Sequence, residues 1–169
     1  MRRVWYRFSE SAVVMSFVVA IGDGDGGVVE TNGFRRQFRL YGVDAPERGQ
    51  PSWRESRDYL KQLILLRPVM LRIRDFDRYG RCVADVYGVS GIRISAVMIR
   101  AGMAWWYRQY AFDDFELREA EEAARRARGG LWVESSPTPP WVYRHEKNSR
   151  WVFCEQISDA AGDVAASDD

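Results

Sequence analysis

Val28-Val29-Glu30-Thr31-Asn32-Gly33-Phe34-Arg35-Arg36-Gln37-Phe38-Arg39-Leu40-Tyr41-Gly42-Val43-Asp44-Ala45-Pro46-Glu47 is the stretch whose reading decides the fold. Asn32-Gly33 is a strong hairpin signal between two segments of β character, Val28 to Thr31 and Arg35 to Val43. In the second segment Phe38 and Leu40 face one way while Arg39 and Tyr41 face the other. The strand ends in a proline-stiffened turn that bears Asp44 and Glu47. Taken alone, this is either an ordinary strand end with exposed charges or the beginning of a site.

Upstream, Phe17 to Ile21 reads as the first strand. Arg2, Arg3 and Arg7 ahead of the apolar run Ala12 to Ile21 also imitate a short signal peptide with Ala20-Ile21-Gly22 as a cleavage site. Cleavage there would remove the strand, so strand is the preferred reading. A start at Met15 would remove nothing the fold requires. Gly22-Asp23-Gly24-Asp25-Gly26-Gly27 has the spacing of a dinucleotide fingerprint, but Val28-Val29 follows where a helix is needed, and two aspartates would repel phosphate. An EF-hand fails as well, because Phe34 stands where the twelfth-position Glu belongs. What remains is a flexible turn, or a turn that holds Asp23 and Asp25 near a cation.

Downstream, Ser52-Trp53-Arg54-Glu55 reads as a capping box opening a helix with Trp53, Leu60, Leu63 and Ile64 at helical spacing. Pro68 ends it. Val69, Leu71 and Ile73 alternate as a strand, and Cys82 to Tyr87 forms a fifth after the turn Asp77-Arg78-Tyr79-Gly80. Ser95 is expected to cap a short helix that stops at Gly102. A third helix runs from Asp113-Asp114 to Gly129-Gly130, with acids early and Arg125, Arg126 and Arg128 late, as the helix dipole favours. Ser135-Ser136-Pro137-Thr138-Pro139-Pro140 reads as an irregular strap anchored by Trp141. Five strands, one hairpin and about three helices predict a small closed β-barrel with packed helices.

The chain has 169 residues, 46% of them hydrophobic and 14% aromatic, which suits one packed domain. The expected organisation is an N-terminal extension over 1–14, a domain with a C-terminal strap over 15–152, and an acidic disordered tail over 153–169. One histidine, His145, and two separated cysteines, Cys82 and Cys154, exclude a Cys/His zinc site and a disulfide framework. They also remove most hydrolase chemistries built on a paired histidine. The 25 basic and 24 acidic residues give a net +1. Five of the acids lie in the tail, so residues 1–152 carry +6. Of the basic residues 23 are arginine, whose planar forks suit phosphate, although a GC-rich genome would also write arginine for lysine. Tyr79, Tyr107 and Tyr110, with Trp105 and Trp106, could stack bases. For the two tryptophans, core packing is the preferred reading. No apolar run approaches the ~18 residues of a membrane span. A soluble chain is expected, cytoplasmic in preference to secreted and monomeric by default.

Val19 to Glu47, Asp77 to Arg81, Val97 to Ala104 and Leu117 to Trp132, in that order, resemble the staphylococcal nuclease (thermonuclease) family. Arg39-Leu40-Tyr41-Gly42-Val43-Asp44-Ala45-Pro46-Glu47 followed by Asp77-Arg78-Tyr79-Gly80-Arg81 is the specific part of the match. The resemblance implies a five-stranded OB-fold barrel with three helices. It further implies calcium-dependent hydrolysis of DNA and RNA with little sequence specificity, single strands being preferred. By the same resemblance Asp25, Asp44 and the Ala45 carbonyl would hold Ca2+, with Asp23 behind them. Glu47 would activate or orient water, and Arg39 and Arg81 would hold the phosphate. Arg78 and Tyr79 would sit by a terminal phosphate, and Tyr110, with Tyr107 as a further candidate, would lie beside the nucleotide. Gly26 stands where the family usually has Thr, which predicts a looser metal loop, and Ala45 replaces another Thr. A second reading is a nucleic-acid-binding module that has lost turnover. A third is a structural OB protein with an acidic interaction arm.

The chemistry of these side chains agrees with the first reading. A phosphodiester repels nucleophiles, so its hydrolysis needs charge neutralisation and an oriented water. Carboxylates that hold a hard cation, two arginines and one free carboxylate supply those needs without a histidine.

Overall fold

The computed structural model describes residues 13–147. The leading arginines, Cys154 and the acidic tail lie outside the described residues. Five strands close on one another into a barrel in the order β1-β2-β3-β6-β5. They are β1 (Val13–Asp23), β2 (Gly26–Thr31), β3 (Phe34–Leu40), β5 (Pro68–Phe76) and β6 (Cys82–Tyr87). Every pairing is antiparallel except β3 with β6. The long β1 pairs with β5 through Val13 to Phe17 and with β2 through Phe17 to Asp23. Two register shifts along the β2 side bend it, as bulges do. β1 thus starts at Val13, two residues inside the segment read as an extension. Asn32 (φ 50°) and Gly33 (φ 79°) both adopt the left-handed conformation that a tight hairpin between twisted strands requires.

Phe38 and Leu40 fill the barrel with Val18, Val29, Val69, Leu71 and Val86, all buried. Of the helices α1 (Trp53–Ile64), α2 (Ile94–Arg100) and α3 (Phe115–Ala127), α1 packs against β1, and α2 packs against β6 and α3. Asp114 caps α3 by accepting from the Leu117 N–H, and the last turn ends at Arg128 in the left-handed conformation. Two ion pairs one turn apart support α3, Glu121 with Arg125 and Glu122 with Arg126. Trp105 and Trp106 are buried, as core residues.

Three local expectations need correction. Ser52 precedes α1 with φ 61°, and its side chain caps nothing, so the sequence of a capping box is present without its hydrogen bonds. Ser95 lies inside α2, where its hydroxyl donates to the Tyr41 carbonyl and ties the helix to the barrel. The strap is irregular only over 134–139, and a further helix, α4, covers 140–147 with Pro140 as its first residue. Proline suits that place because the first helical N–H has no intrahelical acceptor. The structure also adds a two-stranded sheet, β4 (Val43–Asp44) with β7 (Trp105–Trp106).

Candidate active site

The strand pattern brings distant residues to one cleft. Phe38 on β3 pairs with Cys82 on β6, and both point inward and are buried. Arg39 follows Phe38 and Arg81 precedes Cys82, so alternation places both on the opposite face of neighbouring strands. The hairpin turn between β1 and β2 supplies Asp23 and Asp25. Its position is fixed by the Leu40 N–H, which donates to the Asp25 carbonyl at 2.8 Å. Asp44 belongs to β4 and pairs with Trp105. Asp23, Asp25, Arg39 and Arg81 line a cleft of about 1060 Å³ with Ala45, Glu47, Arg78, Tyr79, Tyr107 and Tyr110, and Asp44 is buried behind Arg39.

One guanidinium nitrogen organises the floor. Arg39 Nη2 lies 2.9 Å from Asp25 Oδ2 and 2.7 Å from Asp44 Oδ1. The Ala45 N–H donates to Asp25 Oδ2 at 3.3 Å. Asp25 and Asp44 are 4% and 1% exposed, so both carboxylates meet the Arg39 guanidinium out of water. Burial, with Asp23 adding repulsion and Arg39 opposing it, pushes the Asp25 carboxyl up to about 7. Burial also raises Asp44, against its bonds to arginine. Burial works against the Arg39 charge, but Asp25 and Asp44 more than offset it and hold this guanidinium more firmly protonated than usual. Among the described residues no three His, Cys, Asp or Glu side chains are gathered as a ready cage. The donors available for a cation are therefore Asp25 and Asp44, with backbone oxygen and water to complete the shell. Such an all-oxygen set suits a hard divalent ion.

Close packing accounts for a glycine at position 26. This glycine is buried in β2 opposite Arg39, and a Cβ there would lie 2.7 Å from the Phe38 carbonyl oxygen. Gly24 is packed as tightly, since its Cβ would fall 1.9 Å from Ser56 Oγ on α1 and 2.8 Å from the Ala45 Cβ. The glycines of this turn are thus required by close contact with β3 and α1.

Arg81 joins the cleft wall but not the floor: its Nε bonds Asp77 Oδ2 at 2.6 Å. Arg78 and Arg81 both lie over the exposed Tyr79 ring. Tyr110 is exposed, with its ring edge-on to Tyr107 at 5.0 Å. Tyr107 stacks on Trp141 of α4 at 5.3 Å. Glu47 is half-buried, and its N–H donates to Gln50 Oε1.

The residue that sequence reasoning missed is Arg144. From α4 its Nη1 reaches Glu47 Oε1 at 2.5 Å, and its Nη2 reaches Asp44 Oδ2 at 2.8 Å. Burial disfavours this charge, but the bonds to Asp44 and Glu47 outweigh it and raise the Arg144 pKa. The available signal was the spacing of Trp141 and Arg144, three apart and therefore on one face of a helix. The surrounding prolines hid it.

Residues 37–134 match the family of staphylococcal nuclease homologues. Over 132 residues the chain is 39% identical to an uncharacterized endonuclease of Escherichia coli O157:H7, covering 77% of this chain and 84% of that protein. It is 37% identical over 136 residues to a micrococcal nuclease of Shigella flexneri, covering 75% and 78%. A probable staphylococcal-like nuclease of Oryza sativa subsp. japonica is 36% identical over 113 residues, 67% of this chain but 34% of that longer protein. With the barrel, the cleft and these similarities in agreement, the chain belongs to the staphylococcal nuclease family.

Proposed function

We propose that this protein is a calcium-dependent nuclease that hydrolyses phosphodiester bonds of DNA and RNA with little sequence specificity. The observation that carries the reading is the Arg39 guanidinium held between buried Asp25 and Asp44, with Glu47 in the same cleft. Calcium, when held by Asp25, Asp44 and the Ala45 carbonyl, supplies positive charge opposite the phosphoryl oxygens. Arg39 and Arg81 bind the phosphoryl group and stabilise the charge that grows on its oxygens. Glu47 orients a water and accepts its proton. Arg78 neutralises a neighbouring phosphate. The exposed Tyr110 ring stacks on unpaired bases of any identity, and Tyr79 does so once Arg78 and Arg81 turn from its ring to phosphate, which favours single strands over duplex.

The binding-module reading drew its sequence support from Gly26. That glycine fits the close approach of β2 to β3, so its presence does not argue for lost turnover. Digestion of single-stranded DNA and of RNA with calcium, and again with a chelator, tests the proposal. Cleavage of both that chelation abolishes is the expected result. Binding without cleavage would select the second reading.

A further inference from the structure

Both carboxylate oxygens of Asp44 are engaged. Arg144 takes Oδ2 through Nη2 at 2.8 Å and approaches Oδ1 through Nη1 at 3.2 Å. Arg39 holds the same Oδ1 at 2.7 Å. A further cation at Asp44 is repelled by two guanidinium charges already there, and it binds more readily where one of them withdraws. Arg39 is the harder to move, because it projects from the barrel wall and also serves Asp25. Arg144 has the more exposed side chain and hangs from a helix outside the barrel. That helix has separate anchors, so it can stay seated while one side chain leaves. Trp141 stacks on Tyr107, and the Gln50 amide donates to the Thr138 carbonyl at 3.1 Å.

We propose that Arg144 is a placeholder cation, which neutralises Asp44 and Glu47 in the absence of metal and exchanges with a divalent cation at Asp44. The proposal rests on the metal-site reading above. It predicts that the affinity for calcium is limited by competition with a cation the chain carries itself. The opposite expectation, that Arg144 preorganises the metal ligands, is countered by what else fixes them. Asp44 is set by the β4–β7 pairing and by Arg39, and Asp25 by the Ala45 N–H. With geometry secured elsewhere, the electrostatic contest decides the sign.

The test is calorimetric titration of the full-length protein with calcium alone, comparing the parent with Arg144→Ala and Arg144→Gln. A charge-assisted pair to a buried carboxylate that no longer has to be broken should raise calcium affinity about tenfold to a hundredfold in both variants. Thermal melts in chelator provide the second readout. Both variants should melt below the parent when metal-free, because Asp44 has lost a partner, and the gap should narrow with saturating calcium. Calcium affinity equal to or weaker than the parent's would overturn the exchange while leaving the metal site standing. Absence of calcium binding in all three proteins would overturn the metal reading and this proposal with it.

Discussion

A guanidinium shared by two buried carboxylates has little freedom to turn, and replacing it tests more than its charge. Arg39→Lys and Arg81→Lys each keep a cation but lose the planar fork. Each should lower turnover about a hundredfold at saturating calcium, with a much smaller change in substrate affinity. Their stabilities should differ. Arg39→Lys loosens the Asp25–Asp44 link and should lower the metal-free melting temperature, whereas Arg81, tied to Asp77 at the rim, should leave it nearly unchanged. Near-parental turnover in both would place these arginines outside the chemistry. Asp25 gives a pH dependence with a definite sign. Its carboxyl is raised in the fold from 3.8 to about 7, so the neutral form is the one the metal-free fold favours. Its stabilising contribution is complete below about pH 3.8 and is lost as pH rises towards 7, with a slope of up to ~1.4 kcal/mol per pH unit. Thermal melts in chelator should show this loss between pH 5 and 7 (approximately), and Asp25→Asn should remove it. At this scale the sequence was largely legible: Asp25, Arg39, Asp44, Glu47 and Arg81 sit at strand ends or tight turns that local pattern places. Arg144 was not, because its partners lie 97 and 100 positions away and meet it only after the helix docks.

Between elements, α1 and the β1–β2 turn touch at Gly24 and Ser56. The Ser56 hydroxyl is fully buried and finds no hydrogen-bond partner among the described residues. Leaving such a group unsatisfied costs about 1–3 kcal/mol, so Ser56→Ala should stabilise the protein by about 1 kcal/mol after allowing for lost packing. Gly24→Ala should destabilise by about 1–3 kcal/mol through overpacking and weaken calcium binding, and Ser56→Gly should partly restore both. Urea denaturation of the single and double variants measures this. No coupling between the two substitutions would show that the contact is not the constraint. Local pattern found every barrel strand and the first three helices, through apolar spacing, the Asn32-Gly33 turn and the residues that start and stop helices. It misjudged the caps at Ser52 and Ser95, where a serine's role depends on the backbone angle and the neighbouring element rather than on adjacent letters. It also missed the pairing of β4 with β7, since two-residue strands carry no period.

For the molecule as a whole, charge is the property that local structure does not reveal. Removing residues 153–169 deletes five acids and no basic residue, taking the net charge from +1 to +6. Affinity for single-stranded DNA should rise at low salt and the gain should vanish as salt screens it. Equal affinity of both forms at low salt would mean that the tail does not compete with nucleic acid. The barrel was legible in outline, down to the number of strands, because alternation and one hairpin leave few other ways to close a sheet. The single parallel seam between β3 and β6 was not read, although it is what sets Arg39 beside Arg81.

That seam also has a consequence for the order in which the protein is made. It joins segments on either side of α1 and β5, so it can close only after both have emerged and the intervening loop has lost its freedom. A nascent chain that ends with β5 already carries Asp25, Arg39, Asp44 and Glu47 but has no Arg81 to set beside them. Under the proposed reading, the grip on phosphate therefore arrives together with the finished barrel. A chain caught half synthesised would be unable to cut the message from which it is being translated.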